Sequence, residues 1–124
     1  MIALDTSSLI AFLGGERGRD VESIDRALEL GQAALPPVVL TELLGRPRLD
    51  AQLSRLILAL PVLDLHPGYW ERAAATRAAV LARKLRGRLA DTLISQSCID
   101  HRVPLITRDG DFAHFAKHAG LSLM

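Results

Sequence analysis

Four acidic residues stand in matching surroundings. Asp5 comes directly after the apolar run Met1-Ile2-Ala3-Leu4, and Asp109 follows Val103-Pro104-Leu105-Ile106 across Thr107-Arg108. Short apolar runs of this kind read as strands buried on both faces of a parallel sheet. A carboxylate just past the end of such a strand sits in the crevice outside the sheet's carboxyl edge, where open α/β folds place their ligands. Glu42 and Asp91 belong to the beginnings of two helices expected to enter from the same edge, Glu42 about one turn in and Asp91 in the first turn, where the helix dipole favours negative charge. Four carboxylates brought together repel one another, and a low-dielectric site would raise some of their pKa values unless a cation were bound. Oxygen-only donors suit a hard divalent ion, Mg²⁺ or Mn²⁺, whereas zinc and copper sites lean on His and Cys. An ion held this way can turn a bound water into hydroxide and can offset charge on a phosphodiester. Ser7 and Thr107 are placed to orient the carboxylates through hydrogen bonds, and Thr6 adjoins them. A lone Asp5 would read more simply as a helix N-cap; the recurrence of three more acids in like positions argues for a site.

The elements that must position these acids follow from periodicity and punctuation. Thr6, Ser7 and Ser8 supply cap side chains for the run Leu9 to Leu13, which stops at Gly14-Gly15. Between Asp20 and Leu30, Val21, Ile24 and Leu28 share one helical face and Glu22, Asp25, Arg26 and Glu29 the other, with Gly31 closing the helix. Ala33-Ala34-Leu35-Pro36 predicts a strand, and a helix carrying Glu42 starts near Pro37 and ends at Gly45 and Pro47. Leu49, Leu53, Leu56, Ile57 and Leu60 repeat at helical spacing until Pro61. Val62-Leu63-Asp64-Leu65 predicts another strand, and after His66-Pro67-Gly68 comes a long helix. Its expected buried stripe is Trp70, Ala74, Ala78, Leu81 and Leu85, with Arg72, Thr76, Arg83 and Arg86 outward. Beyond Gly87, Asp91 opens a helix with Leu93, Ile94, Cys98 and Ile99 as its apolar positions, and Leu121-Ser122-Leu123-Met124 is an expected edge strand. Strands alternating with helices, without internal repeats or linkers, predict one α/β domain over 1–124. Its mostly parallel central sheet of four to five strands would be flanked by helices and joined by right-handed crossovers.

Composition sets outer bounds. At 124 residues the chain can bury about two thirds of its unfolded surface without staples. The single Cys98 cannot pair internally and lies in an apolar helical pattern, which suits a reduced, cytoplasmic setting. No signal-peptide pattern precedes Asp5, and no apolar stretch reaches the ~18 residues that would span a bilayer, so a soluble, non-exported protein is expected. Net charge is +1, from 15 basic and 14 acidic side chains, so bulk charge points to no polyanion. Distribution is more informative: only Lys84 and Lys117 are lysines, and Arg83, Lys84, Arg86 and Arg88 stand just before Asp91. The planar fork of Arg suits phosphate. A run of cations also suits a helix C-terminus, and alone it would signify only that.

The sequence resembles the PIN-domain ribonucleases and, within them, the VapC toxins of toxin–antitoxin pairs. The resemblance covers nearly the whole chain. It rests on Ile2-Ala3-Leu4-Asp5-Thr6-Ser7, on Pro36-Pro37-Val38-Val39-Leu40-Thr41-Glu42-Leu43-Leu44, on Asp91 followed by Leu93-Ile94, and on Thr107-Arg108-Asp109-Gly110-Asp111-Phe112. No single fragment is diagnostic; the ordered set of four is. It implies a metal-dependent endoribonuclease whose catalytic, metal-holding acids match Asp5, Glu42, Asp91 and Asp109, with Asp111 as a further acid at the metal. It implies Mg²⁺ or Mn²⁺ as cofactor, a VapB-like antitoxin as partner and a homodimeric toxin. On that reading Arg83, Lys84, Arg86, Arg88 and Arg108 meet RNA phosphates, while Thr6, Ser7 and Thr107 support the acids.

Other motifs fall away. His114 and His118 have the i, i+4 spacing of a zinc-protease helix, but Phe115 stands where that motif needs Glu. Asp109-Gly110-Asp111 has no Glu at the twelfth position of a calcium loop. Gly14-Gly15-Glu16-Arg17-Gly18 lacks the Lys-Ser/Thr of a phosphate loop. Two other classes remain at this point: a phosphoacceptor signalling domain, for which Thr6 follows Asp5 and Arg108 stands where an acid and a Lys are wanted, and a binding scaffold whose acids only cap helices.

Overall fold

A computed structural model describes all residues, Met1–Met124. At its centre β1 (Ile2–Leu4) lies between β2 (Ala33–Ala34) and β3 (Leu105–Ile106), all parallel, in the order β2-β1-β3. Ala3 pairs with both Ala34 and Leu105, and Leu4 with Ile106. Ala3, Leu4, Leu105 and Ile106 are all buried, as a strand covered on both faces requires.

Three strands stand where four to five were expected. The two outer segments are present, each reduced to one parallel bridge, Leu35 to Val62 and Leu105 to Leu123. Leu35 gives its N–H to Pro61 and receives Leu63. The next residue, Pro36, has no N–H to extend the ladder, and its successors turn into a helix. Val62 and Leu65 are exposed, so no second layer prolongs that edge.

Seven helices surround the sheet: α1 (Thr6–Leu13), α2 (Arg19–Glu29), α3 (Pro37–Leu44), α4 (Ala51–Leu58), α5 (Tyr69–Ala82), α6 (Leu89–His101) and α7 (Ala113–Ala119), the last preceded by a 3-10 turn, Gly110–Phe112. α1 packs on α2, α3 on α6, and α5 on both α6 and α7. Phe112 and Phe115 are fully buried, with ring centroids 6.3 Å apart, and tie this last turn and helix into the core. None of these helices is long and apolar enough to cross a membrane.

The register of α5 differs from the expected stripe. Its buried face is Tyr69, Ala73 and Val80, while Trp70 is 60% and Leu81 46% exposed. Polar residues on the packed face explain the difference. Thr76 donates to Gln96 Oε1 (2.6 Å), Arg77 Nε to the Gly87 carbonyl (2.8 Å), and the Tyr69 hydroxyl to the Leu93 carbonyl (2.6 Å). Each polar group is satisfied where it is buried, which lets that face pack inward.

Candidate metal centre

Asp5 is the residue at which β1 becomes α1. It occupies the N-cap position with extended backbone, yet its side chain makes no cap bond. Instead Oδ2 accepts from the Ser7 and Thr107 hydroxyls, each at 2.7 Å, and the residue is 4% exposed. Ser7 and Thr107 lie 3.5 Å apart over the same oxygen. Two hydroxyls from opposite ends of the chain thus fix the carboxylate's orientation.

Asp91 enters from the first turn of α6 and is buried. Its Oδ2 is sequestered without a hydrogen-bond partner, a costly arrangement for an ionised oxygen. Burial first, then the charges of Asp109 and Asp5, push its carboxyl up to about 6; Arg88 opposes them and Asp111 adds to them. Asp109 follows β3: its N–H donates to Thr107 Oγ1 (3.0 Å), and its Oδ1 accepts from the Asp111 N–H (2.9 Å). That short turn places Asp111 beside it. Carboxylate oxygens of Asp91, Asp109 and Asp111 lie within 4.8 Å of one another.

The structure therefore brings together Asp91, Asp109 and Asp111, with Asp5 close enough to Asp91 to act on its charge. Glu42 is placed differently. It lies in the second turn of α3, is exposed, and accepts from Thr6 Oγ1 at 2.7 Å. Thr6, the residue next to Asp5, thus holds Glu42, which lies outside the group of three. Among the basic residues, Arg86 reaches Asp111 Oδ2 at 3.5 Å. Arg88 is the N-cap of α6, while Arg83 and Lys84 lie exposed beyond α5. Arg108 pairs with Asp20 and with none of Asp5, Asp91, Asp109 and Asp111.

An all-oxygen group with an unpartnered buried carboxylate oxygen, Asp91 Oδ2, fits a hard divalent cation, which would supply the missing partner and offset the mutual repulsion. Asp91, Asp109 and Asp111 would hold it, with Asp5 alongside. Cys98 is no rival ligand: it is buried on the core side of α6, and burial pushes its thiol up to about 12.

Among curated proteins, nothing matches this chain. Solved structures share its fold over nearly their whole length. FitAcB from Neisseria gonorrhoeae superposes with a TM-score of 0.72 at 20% identity, over 100% of this chain and 96% of that one. VapBC2 from Rickettsia felis, bound to a DNA fragment from its promoter, gives 0.72 at 19% identity, over 100% and 98%. VapBC-5 from Mycobacterium tuberculosis, a member of the VapBC family of toxin–antitoxin systems, gives 0.68 at 22% identity, over 99% and 96%. The family model of the PIN domain matches residues 2–118, and with the parallel sheet and the acids at its edge in place, the chain belongs to the PIN-domain family.

Proposed function

We propose that this protein is the toxin of a VapBC-type pair, a Mg²⁺- or Mn²⁺-dependent endoribonuclease that hydrolyses RNA phosphodiester bonds in the cytoplasm. PIN domains are in general nucleases, and the observation that carries the finer reading is the Asp91, Asp109, Asp111 group with its unpartnered Asp91 oxygen. When bound there, a divalent ion supplies Lewis acidity and lowers the pKa of a coordinated water. The chain's own residues do the rest. Ser7 and Thr107 hold Asp5 in one orientation, so its carboxylate need not reorganise as charge develops. Asp91, held near 6, is largely ionised at neutral pH and ready to accept a cation. Glu42, fixed by Thr6, adds a fifth negative charge at the rim.

Purified protein incubated with total RNA should cleave it at discrete positions in Mn²⁺ or Mg²⁺ and stop when EDTA is added, and sequencing of the ends identifies the substrate. Cleavage undiminished by EDTA sinks the metal reading.

Arg86 and Arg88 flank the acids and are read as phosphate ligands, with Arg83 and Lys84 extending the track. Single-stranded RNA then binds with a salt dependence of roughly −0.7 in log–log slope per phosphate contact. Replacing Arg86 and Arg88 together by Ala should flatten that slope by about 1.4, measured in Ca²⁺ to prevent cleavage. An unchanged slope returns both residues to the role of solvated helix-end charges.

Two apolar surfaces suit the proposed partners. One is the exposed stripe of α5 and the start of α6, Trp70, Leu81 and Leu89, which we assign to a homodimer. The other is a groove of about 280 Å³ between α1, α2 and α4, lined only by hydrophobic side chains, which we assign to a segment of a VapB-like antitoxin.

A further inference from the structure

We propose that Arg108 and Asp20 are positioning residues for the acidic centre, clamping the Thr107–Asp109 segment to the start of α2 so that Thr107 stays on Asp5. This inference rests on the metal reading above. Asp20, in the first turn of α2, accepts from Arg108 Nε at 2.7 Å and Nη2 at 3.1 Å. It also accepts from the buried Ser8 hydroxyl at 2.8 Å. Arg108 Nη2 donates again to the Arg17 carbonyl at 3.2 Å, and Nη1 reaches Glu16 at 3.4 Å. Each nitrogen of the guanidinium is therefore engaged within the chain, which takes Arg108 out of the set expected to meet RNA.

A second observation shows that the clamp is built in. Gly18 has φ of +148°, in a region that favours glycine, and a Cβ there would lie 2.6 Å from Asp20 Oδ1 and 3.3 Å from Arg108 Nη2. A side chain at this position would have to displace the Asp20 carboxylate and crowd the Arg108 fork. The Arg108 ion pair also holds the Asp20 carboxyl down at about 2, so the pair stays charged at any working pH.

The clamp connects directly to the acids. Thr107, the residue before Arg108, donates to Asp5 Oδ2 and receives the Asp109 N–H, while Asp109 receives the Asp111 N–H. Arg108, gripping α2, is the direct chain neighbour of Thr107, so the grip holds Thr107 in place on Asp5. Loss of the grip frees a segment that carries Asp109 and presents Asp111.

The test is Mn²⁺ titration calorimetry on the full chain, alongside RNA binding in Ca²⁺. Asp20→Asn and Arg108→Ala should each weaken Mn²⁺ binding roughly tenfold, as loss of a supporting contact does. Combining them should add little, because both break one pair. Arg108→Lys, which keeps the charge without the fork, should recover part of the affinity, and Glu16→Gln should match the parent. The salt slope of RNA binding should not move in any of them. Parental Mn²⁺ affinity in Asp20→Asn and Arg108→Ala overturns the clamp, as does a reduced RNA slope in Arg108→Ala with Mn²⁺ binding intact. Arg108→Lys no better than Arg108→Ala would assign the loss to packing, and also overturns it. A parent that binds no Mn²⁺ removes the metal reading itself and this inference with it.

Discussion

Asp91→Asn is expected to lower RNA cleavage by at least about 10²-fold, taking the loss from disturbing a supporting contact as a floor, while leaving the metal-free protein as stable as before or more so. The substitution keeps the shape of the side chain and removes its charge. In activity it takes away the buried oxygen with no partner but the proposed cation. In stability it removes a group whose ionisation burial and the neighbouring acids oppose. The pH dependence follows from the direction of that shift. From an ordinary 3.8 the folded-state pKa rises to about 6, so the folded chain binds the proton more tightly than the unfolded one. Its stability should fall as pH rises between those two values and stay at the lower level above them. A two-unit shift corresponds to about 3 kcal/mol at most, and water reaching the crevice reduces this to the order of 1 kcal/mol. Thermal unfolding in EDTA at pH 4 and pH 7.5 checks the sign: the difference in unfolding temperature between the Asn variant and the parent should widen in the variant's favour at the higher pH. Asp5→Asn should lower cleavage comparably. Near-parental cleavage by Asp91→Asn would rule out its assignment to the metal.

Much of this centre is legible in the sequence because it is built from local devices. An acid after an apolar strand, an acid in a first helical turn, and hydroxyls one or two residues away are all set by chain neighbours. Ser7 reaching Asp5 follows from their separation by two residues, and Asp111 reaching Asp109 repeats that spacing in another turn. What depends on long-range pairing was less legible. Glu42 looked equivalent to Asp91 by position in its helix, but the pitch of α3 leaves it at the surface on Thr6. Arg108 reads as a phosphate ligand on the family resemblance, with no local signal against it; its partner Asp20 is 88 residues away. The signal that could have found the pair was Gly18 two residues before Asp20, a glycine with no helix to end. In α5 the apolar count favoured Trp70 over Tyr69. Burial went to the aromatic whose hydroxyl finds a carbonyl, leaving an indole at the surface that a second copy of the chain could cover. The outer strand at Val62 to Leu65 failed to form a ladder for a reason the sequence did contain: Pro36 ends the donor row it would need.

Leu56→Asp is expected to weaken antitoxin binding by about 10²-fold without changing RNA cleavage, since removing a buried interface anchor typically costs about 2–4 kcal/mol. Leu56 is 56% exposed on α4 and forms one wall of the groove, facing Leu9, Phe12 and Leu13 of α1 and Leu28 of α2. A charge at that position remains in water in the free protein, so the fold is spared; it becomes desolvated only when a partner's apolar face is laid over it. The groove has the character of a receptor for an amphipathic helix, read through anchors one turn apart. A segment seated there could carry an Arg or Lys onward to Asp5, Asp91 and Asp109, satisfying the same charge that a metal would. Inhibition by the antitoxin should therefore ease as Mn²⁺ or Mg²⁺ rises, and Asp91→Asn should bind the antitoxin less well. Co-expression with the neighbouring reading frame, followed by affinity measurement on the purified pair, checks both effects. An antitoxin that binds Leu56→Asp as tightly as the parent places its contact elsewhere, and inhibition indifferent to Mn²⁺ concentration removes the competition for the acids.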